Sequence, residues 1–173
     1  MERPVLRTQV DAGVEEVLPS LGACGHSLIS ITSVRAAEFI DITDRIAALV
    51  AASGVSQGIV NVQALHTTTG ITLNEHEPLL LTDFDAMLNK MAPADAVYRH
   101  DDPHLRVVNL TPDERTNGHA HCRALLLAPS ASVNIVGGRL VLGRWQRLFF
   151  VELDGPRERL VSTMVLGDGG DRR

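Results

Sequence analysis

The sequence is poor in aromatics: Phe, Trp and Tyr together are 3% of 173 residues. It has two cysteines, Cys24 and Cys122, and neither stands in a Cys-x-x-Cys pair. That spacing gives no disulfide framework, and reduced thiols are expected. No apolar run approaches the ~18 residues of a membrane span. No stretch is rich enough in Pro, Gly or Ser to divide domains, and no internal repeat is visible. Basic residues are outnumbered 16 to 21, for a net charge of −5. Clustered Lys and Arg that would neutralise phosphates are missing, so neither nucleic acid nor a membrane is an expected partner. The opening MERPVLRTQV has no basic segment followed by an apolar one, and a cytoplasmic location is expected.

Present instead are the proportions of a globular domain, 45% hydrophobic and 21% charged, with seven histidines. Division by ~150 residues per domain gives one domain. Residues 1–26 read as an N-terminal extension, 27–167 as the domain and 168–173 as a polar tail. Val5 to Val10 reads as a strand, and Gly13 to Gly25 as loop or a short helical turn. Leu28, Ile29, Ile31 and Val34 form a β-rich run. Glu38-Phe39-Ile40 leads into a helix with Asp41 as its expected N-cap. Ile42, Ile46, Leu49 and Val50 then fall on one helical face, and Gly54 stops it.

Gly58 to Leu65 is β-branched and reads as a buried strand emptying into His66-Thr67-Thr68-Thr69-Gly70. Ile71 to Asn74 is a second strand, and Pro78 opens a helix whose expected buried face is Leu80, Phe84, Met87, Leu88 and Met91. Residues 94–116 form a long polar loop. Asn117 is placed to cap a short helix reaching Leu127. Beyond it the chain is β: Ser132 to Val136 and Arg139 to Leu142 around a Gly137-Gly138 turn, then Gln146 to Leu153 and Arg159 to Leu166. Few helices and tightly turned strands make the class α+β: packed, mostly antiparallel or mixed sheets with two to three helices.

Four segments carry candidate chemistry. HTTTG sets an imidazole and hydroxyls at a sheet margin, suited to an anion, a metal or a proton; the same letters fit a polar turn. Asn74-Glu75-His76 offers Glu75 as a general base, or as a helix-entry residue. Tyr98-Arg99-His100-Asp101-Asp102 puts an imidazole beside carboxylates, which fixes a tautomer, builds a metal site or makes a solvated loop. Asn117-Gly118-His119-Ala120-His121 holds a His-x-His pair. On a helix those two rings point to different sides, so only one serves a site. His66, His100 and His121 come from three separate segments, and three protein ligands plus water is the pattern of an open zinc site.

The motifs LHTTTGITLNE, YRHDD, NGHAHCRALLLAPSASV and GRLVLGRWQRLFFVELDGPR, in that order, resemble the YjbQ family, often named secondary thiamine-phosphate synthase. Ser130, Gly138, Gly143, Trp145 and Gln146 match its C-terminal signature. The resemblance implies a homotrimer with a divalent ion, zinc or similar, held by His66, His100 and His121. It implies a phosphorylated small-molecule substrate: a weak coupling of hydroxymethylpyrimidine diphosphate to a thiazole phosphate. Glu75 and Asp101 are the expected acid–base pair, and Thr67, Asn74, Ser130, Trp145 and Gln146 the expected substrate contacts. A zinc-type hydrolase and a noncatalytic metal- or anion-binding trimer are the alternatives. Arg144 stands where Thr is usual and Arg147 where a small residue is common.

Overall fold

The computed structural model describes residues 6–10, 14–18, 24–111 and 114–168. Two antiparallel sheets are built from ten strands in chain order: β1 (Leu6–Val10), β2 (Val14–Leu18), β3 (Cys24–Thr32), β4 (Glu38–Asp41), β5 (Gln57–Ala64), β6 (Thr69–Glu75), β7 (Ser130–Val136), β8 (Arg139–Leu140), β9 (Gln146–Glu152) and β10 (Glu158–Gly167). The helices are α1 (Thr43–Ser53), α2 (Pro78–Met91) and α3 (Gly118–Ala124). Seven strands run in the order β1-β2-β3-β10-β5-β7-β8, and three in the order β4-β9-β6. The class is therefore α+β, as expected.

Alternation along the central strands sorts their side chains. Ile29, Ile31, Val60, Val62, Val133, Ile135, Val161 and Val165 point inward and are buried with Ile42, Ile46, Leu49 and Val50 around α1. Outward positions such as His26, Leu28, Asn61, Ser132 and Ser162 are not buried. The three-stranded sheet lies beneath, and its middle strand β9 is covered on both faces. Leu148 and Phe150 join the large core, while Phe149 and Val151 join a second core with Leu88 of α2 and Ala120 of α3. This explains the continuous apolar run Leu148–Val151, since a strand buried on both faces has no polar side to show.

Several expectations need correction. Glu38–Asp41 leads into α1 as expected, but it does so as a strand paired with β9. Asp41 is one residue too early to be the N-cap; that position is Ile42, and Asp41 Oδ1 instead accepts the Thr43 N–H at 2.9 Å. Val14–Leu18, read as loop, is a strand paired with β3; residues 13 and 19–23 of the Gly13–Gly25 stretch lie outside the described residues. On α2, Met87 and Met91 are 49% and 60% exposed, so the buried stripe is narrower than its apolar residues suggest. α3 stops at Ala124, short of Leu127. Gly54 ends α1 with φ +73°, and Gly137 and Gly138 make the hairpin turn with φ +59° and +72°, conformations that suit glycine.

Candidate functional site

β5 and β6 are joined by the turn His66-Thr67-Thr68, closed by Thr69 Oγ1 donating to the His66 carbonyl at 3.1 Å. Thr68 and Thr69 are buried, and Thr67 is exposed. His66 Nε2 accepts the Leu160 N–H at 2.9 Å, so the neutral ring carries its proton on Nδ1. Burial and the charges of Arg159 and Arg157 hold the His66 pKa below the usual histidine value, against the opposing charge of Glu152. His66, Thr67 and Thr69 face His121 across an open cleft of about 680 Å³, with Leu65 and Leu125 on its rim. Ser130 opens β7 beside Gln63, next to Pro129 on the cleft wall.

α3 brings His121 to this place. Asn117 precedes the helix as expected, but its side chain does not cap it. Asp101 does that work from the Arg99–Asp101 turn: its Oδ1 accepts both the Asn117 and Gly118 N–H groups, each at 2.9 Å. The same turn sets the His100 ring against the His121 ring, centroids 4.5 Å apart. His100 Nε2 is buried and has no hydrogen-bond partner; its nearest carboxylate, Glu114 Oε1, is 4.0 Å away. Glu114 is held by Arg106 Nη1 at 2.9 Å, and Arg106 also donates to the Val108 and Asn109 carbonyls, which shapes the long loop. Burial, then the charges of His100 and Arg106, lower the His121 pKa.

His66, His100 and His121 are thus drawn to one region, but not as a closed ligand set. Among the described residues, no three His, Cys, Asp or Glu side chains group to hold an ion. His66 moreover has its Nε2 lone pair committed to Leu160 and presents an N–H at Nδ1. Three converging imidazole lone pairs, the donor set of the sequence expectation, do not fit this arrangement. His100 and His121 are the two imidazoles that stand together.

The remaining expected residues sit elsewhere. Asn74 and Glu75 pair with Arg147 and Gln146 at the opposite end of the three-stranded sheet from Thr69. Six steps along β6 separate Thr69 from Glu75, about 20 Å at the rise of a β-strand. Asn74 Oδ1 accepts the Glu75 N–H, and Gln146 Oε1 accepts the Gly143 N–H. Trp145 is 61% exposed with Arg144 stacked on it at 4.6 Å. Arg147 donates to Asp41 Oδ2 at 2.7 Å and Asp44 Oδ1 at 3.0 Å. Burial pushes the Asp41 carboxyl up, but hydrogen bonds from Arg147, Thr43 and His76 outweigh it and bring it to about 2.

Behind His66 lies a buried polar cluster that sequence reading missed. Arg159 donates to Glu152 Oε2 and Oε1 at 2.6 and 2.7 Å, and to Thr68 Oγ1 at 3.0 Å. Glu152 Oε1 also accepts the Asp154 and Gly155 N–H groups. Arg157 Nη2 donates to Asp154 Oδ2 at 2.7 Å. The letters DGPR signal a turn, and nothing local in them says that the turn faces two histidine segments.

The family model described as "UPF0047 protein YjbQ-like" matches residues 27–168. The chain belongs to this family. A UPF0047 protein of Methanothermobacter thermautotrophicus is 38% identical over 139 residues, 80% of this chain and 90% of that one. YugU of Bacillus subtilis is 32% identical over 142 residues, 80% of this chain and 97% of that one. Among solved structures, a YbjQ-like protein of unknown function from Sulfolobus solfataricus superimposes with a TM-score of 0.73 at 33% identity, covering 84% of this chain and 98% of that one. The hairpin β1–β2 precedes the matched residues. No helix among the described residues of this YjbQ-like chain is long and apolar enough to cross a membrane.

Proposed function

We propose that this YjbQ-like chain is an enzyme that displaces phosphate or diphosphate from small organic molecules in the His66–His121 cleft. The observation that carries this reading is the state of His66. Its Nδ1–H is a fixed donor, it stands beside the Thr67 hydroxyl, and burial, ahead of the charges of Arg159 and Arg157, favours the neutral ring, which offers that N–H to an anion. The leaving phosphate then binds at the His66 end, with Thr67 and Ser130 as hydroxyl contacts. Coupling of hydroxymethylpyrimidine diphosphate to a thiazole phosphate is one reaction of this class. Exposed, free Cys24 and Cys122 fit a cytoplasmic setting.

The test is diphosphate release from hydroxymethylpyrimidine diphosphate, with and without the thiazole phosphate, alongside calorimetry with inorganic diphosphate. His66→Ala is expected to weaken diphosphate binding and to slow release about 10²-fold. A wild-type protein that neither binds inorganic diphosphate nor releases it from the substrate sinks the reading.

A second reading has its own support. The buried, unpartnered His100 Nε2 beside His121 suits a divalent ion that takes these two imidazoles and completes its coordination from outside the chain. On that reading the protein is a noncatalytic binder. Metal content that drops in His100→Ala and His121→Ala, with no turnover in any variant, distinguishes it. A homotrimer belongs to either reading. The outward positions of β3, β5, β7 and β10 carry one charged residue, Glu158, where a solvated face would carry many.

A further inference from the structure

The cleft between His66 and His121 offers few hydrogen-bonding side chains. They are His66, Thr67 and Thr69 of the β5–β6 turn, with Gln63 and His121. Thr69 Oγ1 is already spent on the His66 carbonyl. No Asp, Glu, Lys or Arg among the described residues lines the cleft.

The rest of the lining is aliphatic, and the backbone fixes it in place. α3 ends at Ala124 and the chain runs on through two tight turns. The Leu126 N–H donates to the Arg123 carbonyl at 3.0 Å, and the Leu127 N–H to the Ala124 carbonyl at 3.1 Å. These turns present Leu125 and Leu127 to the cleft, and Leu127 also packs against the second core. On the strand side, the Leu65 N–H donates to the Leu160 carbonyl at 3.2 Å, and the Ala64 N–H to the Pro129 carbonyl at 2.9 Å. Leu125 is 86% exposed, and Leu65 is exposed as well. Two bare leucines on the rim of one cleft make an apolar surface that folding itself does not use.

A molecule whose phosphate sits at His66 lays its organic half along this same lining, because one ester linkage joins the two. The lining sorts organic groups by chemistry. A sugar or polyol would exchange water around its hydroxyls for aliphatic walls, and each unpaired hydroxyl weakens binding. A cationic group meets no carboxylate here, and a second anionic group meets no Arg or Lys. A hydrocarbon group instead takes its own surface and that of the leucines out of water together.

We propose that the organic half of the substrate is an uncharged, hydroxyl-free aryl or alkyl group, selected by Leu65, Leu125 and Leu127. This rests on the function proposed above, which places the anion at His66, and adds the class of molecule that carries it. Sugar phosphates and nucleotides are then poor occupants. Hydroxymethylpyrimidine diphosphate, whose ring carries an amino group and ring nitrogens, fits less well than a hydrocarbon of the same size.

The experiment is calorimetry with probes that keep the anion and change the organic group: methylphosphonate, benzylphosphonate and glucose 6-phosphate, with inorganic diphosphate as the reference for the anion site. Benzylphosphonate is expected to bind about tenfold more tightly than methylphosphonate, and glucose 6-phosphate no more tightly. In Leu125→Ser, a change at an exposed side chain, the benzyl-to-methyl ratio should fall to about threefold or less. A wild-type ratio near one, or a ratio that Leu125→Ser does not move, overturns the proposal. So does a protein that binds inorganic diphosphate but neither phosphonate. Those outcomes leave the His66 anion site standing, whereas failure to bind inorganic diphosphate as well removes the broader reading and this one with it. If Leu125→Ser lowers the mass seen in light scattering with the ratio unmoved, Leu125 belongs to a subunit contact and the assignment falls.

Discussion

The imidazole of His66 is held by the backbone N–H of Leu160, 94 residues further along the chain, through a 2.9 Å bond to Nε2. That bond needs a lone pair, and protonation of the ring removes it. The folded state therefore prefers the neutral ring.

A pH dependence of stability follows. His66, His119 and His121 all have pKa values lowered from 6.5, by burial first and then by neighbouring cations. Between each folded value and 6.5, the unfolded chain binds more protons than the folded one. Their contribution is thus complete above about pH 6.5 and is lost as pH falls toward the folded values. Asp41 and Glu152, held at about 2, do not titrate over this window. Melting temperature is expected to drop between pH 7.5 and 5.5, and less so in His66→Gln. An identical drop in both proteins would remove His66 from the explanation.

Glu152 and Arg159 form a pair in which each is almost fully buried. Burial pushes the Glu152 carboxyl up, but bonds from Arg159 and from the Gly155 and Asp154 N–H groups bring it down to about 2. Glu152→Ala leaves a buried guanidinium unpaired and is expected to cost about 3–5 kcal/mol in urea unfolding. Its pH signature is opposite in origin to that of the histidines. The contribution is present above 4.5 and disappears as pH falls through about 2.

Gly155 has φ +51°, and a Cβ there would run into the Arg35 carbonyl and the Ala36 nitrogen. Both neighbours are backbone and cannot swing aside. Gly155→Ala is expected to destabilise the protein by more than about 1 kcal/mol. Because the Gly155 N–H is one of the groups that pin the turn to Glu152, diphosphate release should fall along with stability. A variant as stable as wild type would show that the turn has more freedom than its contacts allow.

The trimer can be probed at Ile59, an outward position of β5 that is 39% exposed. Light scattering should give three times the chain mass for wild type and one for Ile59→Lys, with the circular dichroism spectrum unchanged. A monomeric wild type would leave a sheet face with Glu158 as its one charge and no occupant.

How far the sequence could be read depended on the range of the interactions involved. α1 was legible because Ile42, Ile46, Leu49 and Val50 repeat at helical spacing and all four are buried. The Gly137-Gly138 hairpin was legible because its turn chemistry is local. Met87 and Met91 were misleading, since periodicity says which residues share a face but not how much of that face meets a neighbour. Glu75 is near His66 in sequence, yet an extended strand carries it away, where a helix would have kept it close. Asp101 and Asp154 have partners 16 and 37 residues distant, and neighbouring letters hold no trace of either bond.

β9 has no idle face, and its last residue leads straight into the turn that carries Asp154. Amide exchange along Leu148–Val151 should therefore be the slowest in the molecule, releasing only when both cores come apart. Any ligand-driven rearrangement must then come from the opposite wall, where Arg106 alone supplies three side-chain bonds to the loop facing His100. The two sides of the site would differ in tempo: one moving only with the fold as a whole, the other free to open while the fold stays intact.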